Sequence, residues 1–92
     1  MHWKLFADLA EHAGDRTVSV SVEEGATVED ALEALLADRP ALEERVLDED
    51  RDLRPQINVL RNGRNVLTEE AGLETPVDAD DELALFPPVS GG

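Results

Sequence analysis

A chain of 92 residues holds one modest hydrophobic core and has no room for two. Its 41% hydrophobic content fits a packed fold, and the absence of cysteine excludes disulfide frameworks, thiolate metal sites and cysteine nucleophiles. The 22 acidic against 8 basic residues, a net charge of −14, would repel nucleic acid and anionic membranes, whose recognition needs clustered Lys and Arg.

Trp3 to Ala7 reads as a first strand, bounded by Asp8. A short helical turn through Leu9 and His12 follows, and Gly14 stops it. Val18, Val20 and Val22 alternate with Thr17, Ser19 and Ser21, the pattern of a half-buried strand. Val28, Ala31, Leu32, Leu35 and Leu36 form one apolar stripe and predict a helix over Val28 to Asp38. Thr27 is placed to cap its N-terminus, with Asp30 three residues on to complement the exposed N–H groups. Pro40 blocks simple continuation and opens a second short helix carrying Leu42 and Val46. Ile57 to Arg61 reads as a strand, and Asn62-Gly63 as a hairpin turn into Asn65-Val66-Leu67. Ala71 to Asp81 reads as loop. Leu83 to Phe86 is the last strand, stopped by Pro87-Pro88, which cannot donate to a ladder.

Two strands, a long helix, two more strands and a last strand make an α+β fold of the ubiquitin-like, or β-grasp, type. It would have a mixed sheet of about four to five strands with one main helix across one face. The expected organisation is a domain over residues 1–88 and a flexible tail over 89–92. No N-terminal apolar run resembles a signal peptide, and no stretch approaches the roughly 20 residues of a membrane span, so a soluble cytoplasmic protein is expected. The acidic excess, with Lys4 the only lysine, is the composition of a high-salt cytoplasm and predicts marked destabilisation at low salt.

The tail carries the chemistry. Pro87 and Pro88 stiffen the exit from the last strand, and Gly91 and Gly92, lacking Cβ, can thread a narrow channel towards a reacting phosphate. A free carboxylate is a poor acyl donor until ATP converts it to an acyl-adenylate, from which an amine or a sulfur nucleophile displaces AMP. No Gly-rich loop with a lysine is present to bind ATP, so the chain is expected to be no enzyme, to hold no cofactor, and to be activated by a separate protein.

The ending Phe86-Pro87-Pro88-Val89-Ser90-Gly91-Gly92 resembles that of the molybdopterin synthase small subunit and the ThiS-like sulfur carriers. The whole chain, from Trp3-Lys4-Leu5-Phe6-Ala7-Asp8-Leu9-Ala10 onward, is more similar still to the small archaeal modifier proteins of haloarchaea. The resemblance implies adenylation of Gly92 by an E1-like enzyme, followed by isopeptide attachment to lysines of target proteins. The alternative it implies is a C-terminal thiocarboxylate for molybdenum cofactor synthesis or tRNA thiolation, with the molybdopterin synthase large subunit as partner. The segments around Asp48 to Arg54 and Thr68 to Asp81 are longer and more charged than in compact sulfur carriers.

Alternation assigns Leu5, Ala7, Val18, Val20, Val22, Ile57, Val59, Leu83 and Leu85 to the helix-facing side. The opposite side still carries Phe6, Leu60 and Phe86. Large apolar groups on an otherwise polar sheet face suggest a docking patch, continued by Pro87, Pro88 and Val89, that would hold Gly92 in a fixed place. Lys4 offers the only side-chain amine through which the protein could itself be modified. Trp3 reads as core. Asp48, Asp50 and Asp52 have the spacing of a calcium-loop start, but Leu53 and Val59 stand where that loop needs Gly and Glu. His2 and His12 share no helical face and have no cysteine nearby, so no metal site is expected.

Overall fold

A computed structural model describes residues 1–87 of the chain. In chain order these form β1 (His2–Leu5), α1 (Asp8–Ala13), β2 (Thr17–Ser19), α2 (Val28–Asp38), α3 (Glu43–Val46), β3 (Asn58–Arg61), β4 (Arg64–Asn65), α4 (Val66–Glu69) and β5 (Glu82–Phe86). Short 3₁₀ turns cover Pro40–Leu42 and Gly72–Glu74. The strands make one mixed sheet in the order β2-β1-β5-β3-β4. β1 and β5 run parallel at its centre, and the remaining pairs are antiparallel. This is the expected β-grasp architecture.

α2 spans the predicted residues, and its start is fixed by a reciprocal cap. The Asp30 N–H donates to Thr27 Oγ1 at 3.3 Å, and the Thr27 N–H donates to Asp30 Oδ2 at 3.0 Å. Two N–H groups that the first turn would otherwise leave open are thereby satisfied. All five stripe residues, Val28, Ala31, Leu32, Leu35 and Leu36, are buried. They share one core with Trp3, Leu5, Val18, Val59, Leu83 and Leu85 from the inner face of the sheet. The Trp3 indole N–H donates to the Ala31 carbonyl at 3.0 Å, so the largest core side chain also pins β1 to α2. Leu42 and Val46 close the core from below the end of α2.

Four expectations need correction. β2 stops at Ser19, so Val20 and Val22 lie beyond the strand and are only partly buried against the core. β1 ends at Leu5, and Ala7 is exposed rather than core-facing. Its backbone, at φ 54° and ψ −131°, turns the chain into α1, and the Leu9 N–H closes the bend on the Phe6 carbonyl at 3.2 Å. Such a conformation favours glycine and is strained for alanine. Val66 and Leu67 are helical, not strand. Asn62 (φ 50°) and Gly63 (φ 86°) make the expected hairpin turn, but β4 stops after Asn65, whose side chain accepts from the Leu67 N–H at 2.9 Å and starts α4. The segment 71–81 is not plain loop. Beyond its 3₁₀ turn it is stitched to the start of α2, with the Val28 N–H on the Thr75 carbonyl (2.9 Å) and the Val77 N–H on the Ala26 carbonyl (3.0 Å).

Candidate functional site

The sheet has two faces, and the one turned away from α2 carries the candidate site. Ladder register places His2 beside Glu82, Lys4 beside Ala84, Leu60 beside Ala84 and Asn58 beside Phe86. These alternate with the buried Trp3, Leu83, Leu85 and Val59, so they share the outer face. Phe6 follows β1 on that side, and its ring stacks on Phe86 with centroids 4.2 Å apart and planes 9° from parallel. Phe6 keeps 38% of its surface exposed, a large apolar area left to solvent beside the end of β5. Leu60 and Phe86 are half-buried.

The structure thus brings Phe6 and Phe86 into contact and sets Leu60 on the same face. Between them lies a residue that sequence reasoning missed. Ala84 is only 8% exposed although it points outward, because Lys4 and Leu60 flank it on the neighbouring strands. Its position two residues before Phe86 on a strand was the signal that could have found it. Pro87 is half-buried where the chain leaves β5, and it lines a groove together with residues of α1 and the segment 40–57. Pro88, Val89, Gly91 and Gly92 lie outside the described residues.

The polar end of the outer face is built on Glu82. His2 Nε2 lies 3.2 Å from one carboxylate oxygen and Lys4 Nζ 3.3 Å from the other. Hydrogen bonds from His2 and then Lys4 hold the Glu82 carboxyl below its usual range. The Lys4 side chain remains 47% exposed and is drawn towards Glu82, along the strand direction that leads away from Phe86. His12 lies on α1 and has no part in this group.

A second polar cluster, also unforeseen, fastens the β3–β4 turn to the approach to β5. Asp81 accepts from Arg61 Nε (2.8 Å), Asn62 Nδ2 (2.9 Å) and the Asp78 N–H (2.8 Å). Burial alone would raise the Asp81 carboxyl, but the hydrogen bonds from Asp78, Asn62 and Arg61, with the Arg61 charge, outweigh it and leave the group below its usual value. Asn62 also accepts from the Glu82 N–H at 3.0 Å, which ties this cluster to the outer face.

Asp48, Asp50 and Asp52 converge, with carboxylate oxygens within 4.8 Å of one another. Asp48 Oδ1 accepts from the N–H groups of Asp50 (2.8 Å) and Asp52 (3.0 Å), and Arg51 takes a left-handed conformation at φ 64°. The alternating acids therefore shape a turn. Among the described residues, no helix is long and apolar enough to cross a membrane.

Residues 3–92 match the ThiS family. The small archaeal modifier protein 1 of Haloferax volcanii is 61% identical over 92 residues, which is 100% of either chain. The crystal structure of SAMP1 from Haloferax volcanii superposes with a TM-score of 0.92 at 60% identity, covering 100% of this chain and 98% of its own. A sulfur-carrier candidate of Archaeoglobus fulgidus is 47% identical over 49 residues, 53% of this chain and 54% of its own.

Proposed function

The chain belongs to the ThiS family and is a ubiquitin-like protein modifier, and we propose that its Gly92 carboxylate is adenylated by a separate E1-like enzyme and joined by isopeptide bond to lysines of target proteins. The observation that carries this is the end-to-end identity of 61% with a small archaeal modifier protein. The chemistry asks little of the fold. ATP is bound and spent by the activating enzyme, the Gly92 carboxylate becomes a mixed anhydride with AMP, and a lysine amine on the target displaces AMP. Gly91 and Gly92 are the substrate, and the folded body is a handle that the enzyme grips.

The outer face supplies the grip. The Phe6–Phe86 stack lies one residue before Pro87. An enzyme seated on Phe6, Leu60, Ala84 and Phe86 therefore receives the chain at a fixed point, and the tail from Pro88 onward reaches into its active site. Two apolar aromatic rings of this kind suit the desolvated centre of a protein interface. The proposed reaction runs in the cytoplasm, where ATP is supplied.

A second role shares the same adenylate. Displacement of AMP by a sulfur donor would leave a thiocarboxylate at Gly92, for use by a molybdopterin-synthase-like large subunit or in tRNA thiolation. The similarity to the Archaeoglobus fulgidus sulfur-carrier candidate favours keeping it.

Mass spectrometry of protein from its native cell separates the two. The last tryptic site is Arg64, so an unaltered chain would leave residues 65–92 on each target lysine. Ser90→Arg moves the cut next to Gly91, and Gly-Gly remnants on target lysines then identify the modifier. A C-terminal mass gain of one sulfur in place of oxygen identifies the carrier. Deleting Gly92 is expected to abolish every conjugate, and conjugates that persist without it would refute activation at the tail.

A further inference from the structure

Lys4 is the only lysine of the chain, and it stands on the face that the proposed function gives to the activating enzyme. Its neighbour across the parallel ladder is Ala84, the buried centre of the apolar patch. Strand spacing puts the Lys4 backbone about 5 Å from that of Ala84 and about 8 Å from that of Phe86, two residues further along β5. A standard protein interface covers about 800 Å² on each partner, a disc of about 16 Å radius. Any enzyme centred on Phe6 and Phe86 therefore covers Lys4 as well.

In the undocked protein the same side chain is open. It is 47% exposed, and its ammonium group is held by Glu82 at 3.3 Å, drawn back from the aromatic pair. The salt bridge keeps the long arm off the patch while the lysine carries its charge. An acyl group on Nζ removes that charge, ends the hold of Glu82 on the arm, and leaves a bulky substituent beside the surface the enzyme needs.

We propose that Lys4 is a modification site for an activated C-terminal acyl group, the Gly92 adenylate of a second copy, and that its acylation and docking of the activating enzyme exclude one another. This rests on the proposed function above. In the step itself the neutral Lys4 amine attacks the Gly92 carbonyl carbon of the donor copy. A C–N bond forms, the C–O bond to AMP breaks with the electron pair leaving on AMP, and the ammonium proton passes to solvent. Two consequences follow. A copy modified at Lys4 is withdrawn from activation, so a preformed chain cannot be passed on through its free Gly92, and chains grow only by adding single activated copies to the Lys4 of a copy already attached. A copy being activated has its only side-chain amine covered, so it is shielded from the adenylates formed beside it.

The test uses the full-length protein and the purified E1-like enzyme of its native cell, with Gly92-dependent ATP–pyrophosphate exchange as the readout. First, the rate of Lys4 acetylation by acetic anhydride is read by mass spectrometry with and without saturating enzyme. Protection of at least about tenfold is expected, and it should vanish for Phe86→Ala. Second, Lys4 is chemically ligated to Gly92 of a second copy carrying Phe86→Ala, so that the added copy has no competent patch of its own. Exchange at the free Gly92 should fall at least about tenfold against the unlinked protein. Undiminished exchange by the linked pair, or Lys4 acetylation untouched by the enzyme, overturns the exclusion. Failure of the underlying reading looks different: the unlinked, unmodified protein then shows no Gly92-dependent exchange at all.

Discussion

The two faces of the sheet are made from the same strands, yet they do different work. On the inner face Trp3, Val59, Leu83 and Leu85 are wholly buried, and each fully buried aliphatic side chain contributes on the order of 1.5–3 kcal/mol. On the outer face Lys4, Leu60, Phe86 and Phe6 keep contact with water, and under the proposed function their apolar area is what the activating enzyme covers. Because the strand period is two, stability and docking fall on alternate residues of one segment. A single substitution can therefore touch one and spare the other.

The sharpest break of that division comes from the inner face. Trp3→Ala empties the largest core position and leaves the Ala31 carbonyl without its indole donor. It should cost about 4 kcal/mol in a denaturant titration. If the loss stays below about 1 kcal/mol, Trp3 is not the link between β1 and α2 that the hydrogen bond indicates.

The polar cluster at the end of the sheet comes next. Asp81→Ala leaves Arg61 without its closest carboxylate and should lower stability by about 2 kcal/mol. The sign with pH follows from the lowered carboxyl. The contribution is present in full above the ordinary Asp value of about 3.9 and is lost as pH falls through the lower folded value. An acid titration of thermal stability should therefore show wild type and Asp81→Ala converging below about pH 4. Parallel curves would mean that Asp81 contributes nothing through its charge.

The smallest structural effect belongs to the outer face. Phe86→Ala removes one ring of the stack and should cost about 1 kcal/mol of stability. The same change should slow Gly92 adenylation about thirtyfold at subsaturating protein, as expected for loss of a central docking side chain worth about 2 kcal/mol. A large stability loss with normal adenylation would reverse the assignment of the two faces.

The inner face was largely legible in the sequence. Thr27, Asp30 and the five stripe residues of α2 announce the helix through local rules alone, and those rules agree with the packing. Alternation found Val18, Val59, Leu83 and Leu85 for the same reason. The outer face was read in part: Phe6, Leu60 and Phe86 were visible as misplaced apolar residues, but Ala84 was not, since its burial is supplied by neighbours on two other strands. Ala7 escaped because nothing in its side chain reports the strained bend that ends β1. Val66 and Leu67 look like strand residues, and it took a hydrogen bond from the Leu67 N–H to the Asn65 side chain to turn them into a helix. The Arg61–Asp81 bond joins residues 20 apart, beyond the reach of any local pattern.

The central pairing of β1 with β5 has a consequence for how the protein is made. Residues as far apart as His2 and Glu82, 80 positions along the chain, must meet before the sheet has a middle. Contacts so distant in sequence form late, because the intervening loop must be closed before any bond rewards it. A chain cut short before β5 lacks both the core residues Leu83 and Leu85 and one ring of the aromatic pair. Such a fragment lacks the handle that the proposed function requires, and on that reading the fold is its own inspection step: the enzyme grips only a polypeptide whose last strand has closed correctly against its first.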